Sequence, residues 1–182
     1  MSLLLSPAVS LAEDTAAQHH VMIILGIDPG LATTGFGVLQ KRADTFDFLD
    51  MGTITTPAGM ALPERLKIIR EDLTSLVKKY NPVIAAVEEL FFQNNAKTAI
   101  HVSHARGVIV EGLWSHGVEV MEFTPLQVKQ AVTGFGQADK KQVQDMLKLI
   151  FPNIALTTQD DAADALAIAL CGGYSWRSKG IM

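Results

Sequence analysis

Carboxylates stand at three places in this chain where apolar segments end: Asp28, the doublet Glu88-Glu89, and Asp160-Asp161 followed by Asp164. An acid attached to apolar sequence is costly unless it is hydrogen-bonded, paired or metal-bound. Each position has an ordinary explanation. Asp28 before Pro29-Gly30 can cap a turn, and acids in a first helical turn are favoured by the helix dipole and commonly solvated. The chemistry that would use them together is the binding of a hard cation. Carboxylates without a matching set of His or Cys suit Mg²⁺ or Mn²⁺. Two such ions roughly 3.5–4 Å apart clamp a phosphodiester for hydrolysis, one activating water and the other stabilising the leaving oxyanion. Without metal the acids would repel one another and a phosphate alike. His101 and His104, three apart on a helix, lack the third ligand that a metal pair needs.

The elements that must position these acids are legible as local patterns. Ile23-Ile24-Leu25-Gly26-Ile27 reads as a strand buried on both faces, stopped by Pro29 and Gly30 with Asp28 at its lip. Gly35–Leu39 and Phe46–Leu49 lead towards Gly52–Thr56, short alternating segments with polar turns between that predict a three-stranded meander. Pro63-Glu64 opens a helix carrying Leu62, Leu66, Ile69, Leu73, Leu76, Val77 and Tyr80 at helical spacing, ended by Asn81-Pro82. Val83–Glu89 is a second buried strand ending in acid, and Phe91–Asn95 form the loop after it. A helix from about Ala96 to Trp114 carries the small residues Ala99, Ser103 and Gly107 at four-residue intervals, which permits close approach of a neighbour. Val118–Phe123 alternates as a half-buried strand, and Thr124-Pro125-Leu126-Gln127 matches a capping box. Helices follow from about Asp139 to Ile150 and from near Asp160 to a stop at Gly172-Gly173. The order predicts an α/β fold: a mixed five-stranded sheet, an antiparallel meander then parallel strands, with helices on both faces. Parallel strands present their C-terminal ends on one edge, where sites collect.

At 182 residues the chain is expected to form one domain. A hydrophobic share of 48% with 19% charged residues is that of a globular protein, and a single cysteine excludes a disulfide framework or a Cys-rich zinc site. Residues 1–21 contain no Lys or Arg, and Pro7 interrupts their apolar stretch, so they read as a flexible tail and not a secretory signal. The domain is expected over 22–172, with 173–182 as a second tail and a cytoplasmic location. Glu13 and Asp14 supply part of the net charge of −4; the weakly acidic remainder does not advertise a nucleic-acid binder, but a cluster of acids would mask a modest basic rim.

Taken together, Gly26-Ile27-Asp28-Pro29-Gly30, Val87-Glu88 with Leu90-Phe91, His104-Ala105-Arg106-Gly107, Gln127-Val128-Lys129-Gln130 and the run Asp161–Ala169 resemble the RuvC-type crossover junction endodeoxyribonucleases, of RNase H-like (retroviral integrase) fold. The match spans about Met22 to Leu170. It implies a homodimer that binds four-way Holliday junctions and nicks two like strands symmetrically, leaving ligatable ends. It also implies two Mg²⁺ or Mn²⁺ ions held by the catalytic acids Asp28, Glu88, Asp161 and Asp164, and branch-migration partners of RuvA and RuvB type. Lys129 and Lys140 fall where the family has basic residues near the DNA, with Lys141 beside Lys140 in a weak basic patch expected to contact DNA, and Phe91 falls where the family has an aromatic ring near the junction centre. Helical geometry by itself lets either Asp160 or Asp161 share a face with Asp164; the Asp-Ala-Ala-Asp match favours Asp161.

Three other functions compete. An actin-like or sugar-kinase-like ATPase shares the Ile-Asp-x-Gly turn but needs two such halves, and this chain has room for one. A non-catalytic junction-binding module would gain nothing from retained acids. A single-domain nuclease acting on RNA would use the same metal chemistry.

Overall fold

The computed structural model describes residues 21–90, 96–154 and 160–176. The sheet has five strands: β1 Met22–Asp28, β2 Thr33–Arg42, β3 Thr45–Thr55, β4 Ile84–Glu88 and β5 Glu119–Phe123. Their spatial order is β3-β2-β1-β4-β5. β1, β2 and β3 pair antiparallel, whereas β1–β4 and β4–β5 pair parallel. This is the mixed sheet, an antiparallel meander followed by parallel strands, that the order of elements predicts.

Among the described residues five helices cover the sheet: α1 Leu62–Tyr80, α2 Ala96–Ser115, α3 Pro125–Thr133, α4 Lys140–Ile150 and α5 Asp160–Ser175. They divide between its faces because strand side chains alternate. Ile24, Leu39, Ile84 and Ala86 pack with residues of α3, α4 and α5 in one core. Leu25, Ile27, Val38, Ala85 and Val87 pack with α1 and α2 in the other. A strand apolar on both faces, as β1 and β4 are, is what a two-sided cover requires.

Two local expectations are corrected. The segments Phe46–Leu49 and Gly52–Thr56 are not separated by a turn but form the single strand β3, ending at Thr55. Val38 pairs with Asp50 and Leu39 with Phe48, so Leu49 is an extra residue, a bulge that leaves it exposed. A bulge breaks the alternation that sequence reading relies on, and polar Asp50 beside it mimics a turn. Helix α5 also does not stop at Gly172-Gly173 but runs on to Ser175. A Cβ at Gly173 would stand 2.3 Å from the Phe46 ring, and one at Gly172 2.7 Å from the Ala86 Cβ. These glycines therefore allow close packing and are not a helix cap.

Of the small-residue stripe of α2, Ala99 and Ser103 are half-buried and Gly107 is exposed. Ala105, Ile109 and Leu113 face the core, whereas Gly107 is exposed and a Cβ added there meets nothing within 4 Å. Among the described residues no helix is long and apolar enough to cross a membrane. Residues 1–20 of the expected tail, the loop containing Phe91, and residues 177–182 lie outside the described residues.

Candidate active site

The strand alternation that divides the cores also aims the acids. Asp28 follows Ile24 at even spacing and so faces α5, while Leu25 and Ile27 face α1 and α2. On β4, Ile84 and Ala86 face α5, which places Glu88 on the same side and its neighbour Glu89 on the other. Ile27 lies opposite Val87 in the parallel ladder, so the two carboxylates leave adjacent strand ends, at a strand spacing of about 4.8 Å.

Helix α5 brings Asp161 and Asp164 to them. It lies so close to β2 that a Cβ at Gly35 would fall 2.0 Å from the carbonyl oxygen of Asp161. Gly35 is the ladder partner of Asp28. One bare strand position therefore sets the start of α5 directly over the end of β1. A glycine inside a strand is the sequence sign of such an approach; from sequence, Gly35 reads only as the start of a strand.

The electrostatics put the acids in one neighbourhood. Burial, then repulsion from Asp164 and Asp161, pushes the Asp28 carboxyl from 3.8 up to about 6. Burial, then Asp28 and Asp164, pushes Glu88 from 4.5 up to about 7. Asp164 is raised too, by burial first, although its hydrogen bond to Lys140 opposes the shift. Among the described residues, no three acid, histidine or cysteine side chains form a closed ligand cage. The donor chemistry nonetheless fits a hard divalent cation: partly buried carboxylates that raise each other's pKa, with no nitrogen or sulfur donor among them.

Basic residues border the acids. Lys129 and Lys140 line a cavity of about 250 Å³ together with Glu88, Asp164 and Val128. Lys129 reaches it because the Thr124–Gln127 capping box, found as expected, starts α3 directly after β5. A second capping box, Asp139 with Gln142, starts α4 at Lys140, and the Asp-x-x-Gln spacing is its sign in the sequence. Lys140 Nζ lies 3.0 Å from Asp164 and 3.4 Å from Asp160. Lys141 is not brought to the site and pairs with Asp145 along the exposed side of α4. Asp160 is the first helical residue of α5 and turns to α4, accepting from Gln144 at 3.3 Å. Arg106, which lies in a family motif without an assigned role, pairs with Glu122, and its Nε donates to the backbone oxygen of Glu88 at 3.4 Å, tying α2 to the end of β4.

Comparison with known proteins gives this geometry a family. The sequence model described as "Crossover junction endodeoxyribonuclease RuvC" matches residues 24–172. The chain belongs to the RuvC family. A RuvC relative from Alkaliphilus oremlandii is 51% identical over 154 residues, covering 85% of this chain and 94% of its own. The Thermus thermophilus RuvC structure in complex with a Holliday junction substrate superposes with a TM-score of 0.79 at 33% identity, covering 84% of this chain and 93% of that one. The yeast mitochondrial Holliday junction resolvase Ydc2 has a TM-score of 0.60 at 12% identity, over 81% and 76% of the two chains, a likeness of fold alone.

Proposed function

We propose that this chain is a metal-dependent endonuclease that resolves four-way DNA junctions in recombination and repair, acting in the cytoplasm as a homodimer that nicks two like strands. The observation that carries this is the convergence of Asp28, Glu88, Asp161 and Asp164 beside Lys129 and Lys140, in a chain of the RuvC family. These four acids would hold two Mg²⁺ or Mn²⁺ ions, which when bound supply an activated water and a counter-charge for the leaving oxygen. The chain's own part is to place and balance charge. The ends of β1 and β4 hold two carboxylates at a fixed spacing, α5 carries the other two, and Lys129 offers an ammonium to a phosphate beside Glu88. Lys140, now held by Asp164 and Asp160, offers a second once those acids have another counter-charge. Asp160 and Lys141 stand further out and take no part in this reading beyond the general field.

Exposed residues of α2 support the dimer. Gly107 is open to close approach, and Ile100 and Trp114 are exposed on the same helix. A junction offers two equivalent strands, and paired nicks need two matched sites related by a two-fold axis. Phe91 would lie at the junction centre and stack on a base, and branch-migration partners of RuvA and RuvB type would deliver the substrate.

The test is a panel of labelled four-way junction, linear duplex and RNA–DNA hybrid, each with and without Mg²⁺ or Mn²⁺. Paired symmetric nicks in the junction, only with metal, are expected. Preferential cutting of the hybrid would favour the RNA nuclease, and tight junction binding without cutting at saturating metal would favour the binding module.

The acids also make stability depend on pH and metal. Because the folded carboxyl values of Asp28 and Glu88 lie above their ordinary ones, the folded chain binds more protons than the unfolded chain between about pH 4 and pH 7. Their contribution to stability is therefore lost as pH rises through that window, a loss of roughly a few kcal/mol in all. A divalent cation stabilises the ionised form. The rise in melting temperature on adding Mg²⁺ in place of EDTA should be near zero at pH 4 and grow up to about pH 7 before levelling. A metal effect of equal size at both ends would show that these acids are not the ligands.

A further inference from the structure

Beside the acid cluster lies a second, larger cavity of about 530 Å³, which the nuclease reading does not use. It is walled by Gly30 from the β1–β2 turn, Thr33 at the start of β2, Arg65 from α1, His101 from α2, and Asp161 from α5. Asp161 thus borders both the catalytic neighbourhood and this cavity.

Among the described residues Arg65 is fixed through its Nε alone. Its Nε donates to Thr56 Oγ1 at 2.7 Å, and that hydroxyl donates in turn to the Leu31 carbonyl at 2.6 Å. The chain of bonds ties the guanidinium to the same turn that follows Asp28. Arg42, Arg70 and Arg106 each pair with a carboxylate. Arg65 has no carboxylate partner among the described residues, and its two terminal nitrogens donate to no group described there. A half-buried guanidinium fixed through Nε keeps the two-pronged edge that matches a phosphate. Its positive charge also sits where a strand running past Asp161 would meet an acid.

We propose that this cavity takes a phosphodiester of the cleaved strand neighbouring the one cut, and that Arg65 is its anchor. This rests on the nuclease reading of the acids. A nucleic-acid strand carries a charge about every 3.4 Å of rise, so phosphates adjoining the cut one pass close to Asp161 and need a cation of their own. The volume is that of a pocket for a small ligand, ample for one nucleotide unit. His101, which also lines the cavity, can offer it an imidazole N–H donor. Binding on the two sides of Asp161 would fix the strand in register, so that only one linkage reaches the acids.

The test combines Arg65→Gln, which removes the charge but keeps an amide near Thr56, with a walk of single neutral methylphosphonate linkages along the cleaved strand. Binding is measured in Ca²⁺ so that the junction stays uncut. Arg65→Gln should weaken binding about tenfold at low salt and reduce the slope of log affinity against log salt by about 0.7–0.9. One linkage, next to the cut, should cost the wild type about tenfold and the variant almost nothing, the mark of a direct partnership. Arg65→Lys, which retains the charge, should recover most of the salt slope. An unchanged slope in Arg65→Gln, or equal penalties in both proteins at every linkage, would overturn the proposal. So would a loss of affinity matched only by a fall in melting temperature, as a purely structural arginine would give. Failure of the nuclease reading would appear in the wild type alone, as absence of cutting; failure of this inference appears only in the comparison.

Discussion

Replacing Asp28 by Asn should lower junction cleavage by roughly 10³-fold or more while leaving junction binding largely intact, because the charge stabilisation a metal supplies is worth several kcal/mol. The shape of the side chain is nearly unchanged, so the β1 lip and its ladder with Gly35 should persist. The same substitution should raise metal-free stability near neutral pH. Asp28 is partly buried with Asp164, Asp161 and Glu88 as neighbours, and its carboxyl is pushed up to about 6, so ionising it in the folded chain is unfavourable. Asn removes that repulsion, and Glu88 should then titrate at lower pH. Stability gained with activity lost is the pattern of a site strained for function. Cleavage rates on a labelled junction, with melting curves at pH 7.5 in EDTA, check both halves. Wild-type cutting at saturating metal would remove Asp28 from the catalytic set, and lower stability would show that its carboxylate is satisfied by the protein alone.

Gly35→Ala should be nearly as damaging, without touching an acid. The added Cβ would lie 2.0 Å from the Asp161 carbonyl oxygen and 2.6 Å from its carbon, both backbone atoms that no rotamer change can move aside. Helix α5 must therefore shift by about an ångström at the end that carries Asp161 and Asp164. Overpacking of this kind costs about 1–3 kcal/mol, a fall of several degrees in melting temperature for a chain of this size. Misplacement by about 1 Å is worth on the order of 10² in rate. Cleavage measured well below the melting point should therefore drop by about a hundredfold even where the variant is fully folded. Gly59→Ala, where an added methyl meets nothing within 4 Å, is the control and should leave both quantities unchanged. An active Gly35→Ala enzyme would mean that α5 can back away without disturbing its acids.

Much of this protein is legible residue by residue because its signals are local. The apolar run into Asp28, the helical spacing from Leu62 to Tyr80, the Thr124–Gln127 capping box and the acid-headed, Ala-rich α5 each depend on a few neighbouring residues, and each appears in the structure as read. Asp28 and Glu88 stand out as candidates in the sequence because a carboxylate at the end of a buried strand has few stable surroundings, whereas preferring Asp161 to Asp160 rests on the family resemblance. What tertiary structure alone decided is what lies opposite what. The bulge at Leu49 merged two apparent strands, since register is a property of the pair and not of either segment. Gly173 continues α5 because the Phe46 ring lies against it, a contact invisible along the chain. Lys140 meets Asp164 and Asp160 turns to Gln144, outcomes set by how α4 crosses α5, whereas the Lys141–Asp145 pair is local to α4. The Arg65 cavity is assembled from four separate segments, none of which carries a motif for it. Local propensity names the elements and their charged ends, whereas close packing between distant segments decides which of those ends meet.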